Sequence, residues 1–283
     1  MFAFVECGRI TRGRRGSMGR ISRRGLFRGA GLAVVGAAVG AVGASEVPRW
    51  CGWDHPPLSG GYAAAADNQG AVGRSSVNVR YFVETSRPLV ALTFDDGPAP
   101  RYTPLFLDAL EDVGVKATFF MVGRNVRDHA DLVKDRLDGH EIGNHSWAHR
   151  DLATMDLASI QDDLRRTHAM IQNKLGRTPT IMRPPFGHLG GSTVLAADSM
   201  GYDLVLWDRQ MHERQFVDDS AGQARDLVET ARAGSIVLAH DVGDKRRLVA
   251  LGALQDLVAG LKARGFEFVT VSELIADAAT GIT

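Results

Sequence analysis

Apolar residues change their spacing along this chain. Short β-prone runs fall at residues 89–94, 117–122, 141–143, 180–183, 203–207, 235–239 and 266–271. Between them lie helical patterns at 104–113, 130–137, 157–175, 193–200, 219–233 and 248–263. A strand-helix alternation repeated about seven times implies an α/β fold with a parallel sheet covered by helices, and at 283 residues a barrel fits better than two separate sheets. Chemistry in such barrels sits where strands end. The unusual polar residues fall at those points, after Phe94, Gly143, Met182 and Ala239.

The alternation begins at Val77, so residues 77–283 form the expected catalytic domain. Residues 45–76 are rich in Gly, Ala and Pro without a sustained period, and read as a tether or loose extension. Residues 1–44 differ again. Ser22-Arg23-Arg24-Gly25-Leu26-Phe27 precedes an uncharged run from 29 to 44, too short for a comfortable membrane span and ending in small residues. This resembles a twin-arginine export signal and implies export machinery as a partner and an extracellular or envelope location. An ordinary secretory signal or a retained anchor is the alternative, and Met18 offers a start that gives a leader of normal length.

Net charge is zero, but eight Arg and one Glu belong to the leader. From Ser45 onward 25 basic side chains face 32 acidic ones, which argues against a nucleic-acid partner. Cys7 and Cys51 are the only cysteines, so neither an internal disulfide in the exported part nor a cysteine zinc site is available.

Four clusters carry candidate chemistry. Thr93-Phe94-Asp95-Asp96-Gly97-Pro98 puts two carboxylates at a strand end, where they splay and can hold different jobs, though Asp-Asp-Gly is also a common turn. His145-Ser146-Trp147-Ala148-His149 spaces two imidazoles by four, so that one helical turn would aim both at a metal; exposed helices also carry such pairs. Arg183-Pro184-Pro185-Phe186-Gly187 sets an Arg before a stiff turn, suited to fixing a carboxylate or to a plain surface salt bridge. Ile236-Val237-Leu238-Ala239-His240-Asp241 is a buried-looking strand ending in a His that is either a general acid or structural.

In this order the clusters resemble the polysaccharide deacetylase family, carbohydrate esterases with a NodB-homology domain, over residues 89–271. The resemblance implies a distorted (β/α) barrel with about seven strands. It implies Asp95 as catalytic base, Asp96, His145 and His149 as metal ligands, and Arg183 as the partner that orients Asp95. His240 would be the catalytic acid, with Leu238, Pro185, Phe186 and Trp207 contacting substrate. The implied reaction takes an acetyl group from an N-acetylated glycan such as peptidoglycan or a chitin-like polymer, leaving acetate and a free amine. Two His and one Asp suit zinc, with cobalt, nickel or manganese as alternatives.

One stretch departs from the pattern. Where the family continues from its strand-end Trp into Asp-x-x-Asp-Trp, this chain has Gln210, Glu213 and Arg214 at the two Asp and the final Trp. Glu213 can still orient His240 with a longer side chain, but the aromatic groove wall is lost. Substrate choice is the property this touches. A hydrolase of a non-sugar amide or O-acetyl ester, or a non-catalytic glycan binder, is the competing reading. His188 and His212 are placed near the cleft, whereas His55, His129, His140 and His168 and the charged run 244–247 read as structural or solvated. A monomer is expected.

Overall fold

The computed structural model describes residues 77–243 and 245–280. The expected export signal and tether, residues 1–76, lie outside the described residues. The strands are β1 (Val79–Arg80), β2 (Leu89–Asp95), β3 (Thr118–Met121), β4 (Glu141–Asn144), β5 (Ile181–Met182), β6 (Asp203–Val205), β7 (Arg209–Gln210), β8 (Ser235–His240) and β9 (Glu267–Phe268). They run side by side in the order β1-β6-β5-β4-β3-β2-β8-β7, with β9 also beside β2, and every pair of strands is parallel. The result is an open, distorted (β/α) barrel with helices outside. All seven expected runs form strands; β1 and β7, two residues each, are too short to leave a period.

The period of two in β2 decides where chemistry goes. Val90, Leu92 and Phe94 feed the layer between sheet and helices, while Leu89 and Ala91 face the barrel interior. Asp95 shares the alternation of the inner set and is only 4% exposed. In β8 the same rule sends Val237 and Ala239 outward and Ile236 inward, so Leu238 and His240 follow Ile236. The register pairs Asp95 with His240. The expected base and the expected acid therefore end neighbouring strands.

Two expectations need correction. The helix placed at 130–137 starts earlier, at Gly123–His129, and gives way to a single tight turn at Ala130–Leu132. The buried positions Val126, Ala130, Val133 and Leu137 keep helical spacing, but His129 and Val133 leave helical backbone angles and stop the run. The strand placed at 266–271 shrinks to Glu267–Phe268, and a helix follows at Val271–Thr280. Its start is a capping box: the Thr270 N–H donates to the Glu273 carboxylate at 2.9 Å and the Glu273 N–H to Thr270 Oγ1 at 3.3 Å.

Candidate active site

Asp95 and Asp96 are parted by backbone geometry. Asp95 ends the strand, and Asp96 has φ 80, a left-handed conformation that breaks the alternation and turns its carboxylate elsewhere. Asn125 holds this turn by donating from Nδ2 to the Asp96 carbonyl at 2.7 Å. Gly97 is obligatory beside it, because a Cβ there would lie 2.4 Å from Asp241 Oδ2.

Asp95 Oδ1 accepts from Arg183 Nη1 at 2.7 Å. Arg183 is fully buried, and three further hydrogen bonds hold it: Nη1 also reaches Thr93 Oγ1 at 2.8 Å, Nε the Val205 carbonyl at 3.1 Å and Nη2 the Leu206 carbonyl at 2.9 Å. Its guanidinium lies over the Phe120 ring at 4.1 Å. Phe120 in turn occupies the space that a Cβ on Gly143 would need, 2.4 Å from its Cδ1. Burial lowers the guanidinium pKa and the pair with Asp95 opposes this. A guanidinium is not deprotonated in proteins, so Arg183 remains a cation.

The two histidines do not sit on one helical turn. His145 leaves β4, and Ser146 and His149, at φ 66 and 54, fold a tight loop that Asn144 Oδ1 and Ser146 Oγ pin by accepting backbone N–H groups. The rings come together 5.1 Å apart. Spacing by four thus aims both imidazoles at one point through a loop.

Asp96 Oδ1 lies 3.0 Å from His149 Nε2 and 3.4 Å from His145 Nε2. It is buried without a hydrogen-bond partner. Ligands of one tetrahedral ion at zinc–oxygen and zinc–nitrogen distances are roughly 3.4 Å apart, so the donor set fits a divalent metal. His145 Nδ1 meets the Arg183 carbonyl at 2.7 Å; a carbonyl only accepts, so Nδ1 carries a proton and Nε2 is the nitrogen that faces a metal. Burial works against charge on Asp96, but the neighbouring His145 and His149 rings hold its carboxyl well below the usual carboxylate range. Burial likewise depresses His145, and Asp95 and Asp96 outweigh that and raise it.

His240 Nδ1 donates to Glu213 Oε1 at 3.0 Å. Burial raises the Glu213 carboxyl, but His240 outweighs this and leaves it below its ordinary value. The longer side chain therefore does reach. These groups open into a cleft of about 560 Å³ whose walls include Phe186, Trp207 and Leu238. Phe186 is 58% exposed and meets the His149 ring edge-on at 4.7 Å. Pro185 is a correction. It is buried and does not line the cleft, and it instead starts the turn whose next residue, Phe186 at φ 62, swings outward.

Gln210, His212, Arg214 and Arg247 also line the cleft. Arg247 is a second correction: read as solvated surface, it reaches inward and places Nη1 3.3 Å from Asp96 Oδ2. Its signal was position, on the connection between β8 and the helix Leu248–Ala263. His188 pairs with Asp151 at 2.8 Å outside the cleft, and Trp147 is buried between Arg127 and Arg166.

Residues 82–205 match the family model described as polysaccharide deacetylase. A peptidoglycan-N-acetylglucosamine deacetylase of Bacillus cereus is 36% identical over 199 residues, covering 70% of this chain and 92% of the relative. The chain belongs to the polysaccharide deacetylase family. A crystal structure of a peptidoglycan N-acetylglucosamine deacetylase superposes with a TM-score of 0.67 at 26% identity, over 76% of this chain and 97% of that one. A family pseudoenzyme from Bacillus anthracis superposes at 0.65 and 26%, over 71% and 70%. The deacetylase fold alone therefore does not guarantee turnover, and the side chains decide. The family model spans Asp95, Asp96, His145, His149 and Arg183, whereas Glu213 and His240 lie beyond it.

Proposed function

We propose that this deacetylase is exported through its twin-arginine leader and removes N-acetyl groups from a cell-envelope glycan, with N-acetylglucosamine polymers such as peptidoglycan as substrate. The observation that carries the reading is the convergence of a buried Asp95–Arg183 pair, a three-ligand metal set and a Glu213–His240 pair on one cleft.

Each group has a task. Arg183 occupies Asp95 Oδ1 and leaves Oδ2 to take a proton from the attacking water. Glu213 fixes His240 through Nδ1, which leaves Nε2 to pass a proton to the departing amine. Leu238, Phe186 and Trp207 give the cleft apolar wall for an acetyl methyl and a sugar face. Asp96, His145 and His149 would hold a divalent ion, zinc first and cobalt, nickel or manganese as alternatives, which would supply Lewis-acid stabilisation of the developing oxyanion.

The test is acetate release from N-acetylglucosamine oligomers and purified peptidoglycan by metal-reconstituted protein beside Asp95→Asn. Release that needs Asp95 supports the reading. No release from any glycan, with metal bound, rejects it in favour of a non-sugar or ester substrate, the alternative that Arg214 on the cleft wall favours.

A further inference from the structure

The carboxylate of Asp96 is shared between two sides. Oδ1 faces the two imidazoles, and Oδ2 faces Arg247 at 3.3 Å. The Arg247 side chain is only 27% exposed, so this cation is held in the cleft wall. Space has been cleared for it: a Cβ on Gly243, which has φ 113, would lie 2.9 Å from Arg247 Nε and 3.0 Å from its Cδ. Arg247 also stands at the N-terminal cap of the helix Leu248–Ala263, so its backbone is anchored on one side while its side chain reaches back. None of the groups that bind or move protons in the reading above needs an arginine here. A metal site with one carboxylate gains nothing in affinity from a cation on that same carboxylate.

We propose that Arg247 is a positioning residue that holds Asp96 to one ligand oxygen and drains charge from it, so that the ion is bound less tightly and is a stronger Lewis acid. This rests on the deacetylase reading. By occupying Oδ2, Arg247 leaves Oδ1, beside His145 Nε2 and His149 Nε2, as the oxygen that would meet an ion. A unit positive charge one carboxylate away from a divalent ion costs about tenfold in its affinity even at the dielectric constant of water. The same charge lies near Glu213 and adds to the effects that hold that carboxyl below its ordinary value. Arg247 thereby links the metal half of the cleft to the acid half.

The experiment measures zinc and cobalt affinity of the metal-stripped full-length protein by competition with a chromogenic chelator, for wild type, Arg247→Gln and Arg247→Lys. Turnover on N-acetylglucosamine oligomers is read in parallel. Arg247→Gln is expected to bind metal about tenfold more tightly and turn over about 10- to 100-fold more slowly. Arg247→Lys, which keeps the charge, is expected to bind like wild type. Tighter metal with slower turnover is a combination that a loosened scaffold does not produce. Unchanged or weaker metal binding by Arg247→Gln overturns the proposal. If Arg247→Gln does not fold, Gly243→Ala, which crowds the same guanidinium, must tighten metal binding for the proposal to stand. Wild-type protein alone decides the underlying reading: failure to take up metal or release acetate sinks both, whereas the variant comparison decides the role of Arg247.

Discussion

Arg183→Met removes a cation from the centre of the barrel while leaving its partner in place. Both side chains of the Asp95–Arg183 pair are nearly inaccessible, at 5% and 0%. Breaking such a pair from one side costs about 3–5 kcal/mol, because the remaining charge is buried and unpaired. The carbonyls of Val205 and Leu206 lose the donors Nε and Nη2, at about 1 kcal/mol or more each, whereas Thr93 Oγ1 keeps its bond to the Val237 carbonyl. Contributions that share one side chain do not sum fully, so the working figure is about 4–6 kcal/mol. For a domain of this size that lowers the melting temperature by roughly 8–24 °C. Thermal unfolding by circular dichroism reads this directly. In an Asp95→Asn background the buried charge is gone, and the same Arg183→Met should cost less by about 2 kcal/mol. A single variant that melts within about 3 °C of wild type, or two substitutions whose effects simply add, refutes the account of Arg183 as the counter-charge of the base.

Glu213→Gln removes the anion that fixes His240 through Nδ1, so kcat on N-acetylglucosamine oligomers should fall about tenfold or more with little change in KM; unchanged turnover means another group orients His240. Asp241 is fully buried beneath the Asp95-Asp96 turn, and burial, with Asp96 and Asp95 adding repulsion, pushes its carboxyl up to about 7. A raised folded value means that the folded state keeps the proton longer, so this group lowers stability progressively as pH rises from about 4 to about 7. Asp241→Asn should remove that slope in metal-free protein and stabilise it at pH 8 by up to about 4 kcal/mol, read from urea unfolding at a series of pH values. Equal slopes for wild type and variant would show that Asp241 does not titrate in this window.

Much of the fold was legible because the strongest local signals agreed with the tertiary structure. The helix Leu157–Leu175 has the expected bounds, with Asp156 capping its start and Gly176 in a left-handed conformation after its end. The helix Leu248–Ala263 also matches, since its apolar positions are buried along its whole length. The last helix was missed although its capping box, Thr270 and Glu273, stands in the sequence; the apolar run before it took the signal. Asp95, Asp96, His145 and His149 were legible as short clusters at strand ends. The loop that aims the two histidines was not, because it depends on left-handed backbone at Ser146 and His149, where no glycine marks the turn. Arg247 was hidden for a different reason. A run of charged residues looks solvated, and the inward turn of Arg247 shows only in its contact with Asp96 and the space at Gly243.

The central claim is that adjacent carboxylates do separate jobs, Asp95 on the proton and Asp96 with His145 and His149 on the metal. Metal stoichiometry and acetate release from N-acetylglucosamine oligomers, measured together on wild type, Asp95→Asn and His149→Ala, test it most directly. The account predicts one bound divalent ion and turnover in wild type, the ion without turnover in Asp95→Asn, and neither in His149→Ala. An Asp95→Asn protein that cannot hold metal, or a His149→Ala protein that still releases acetate, would contradict it.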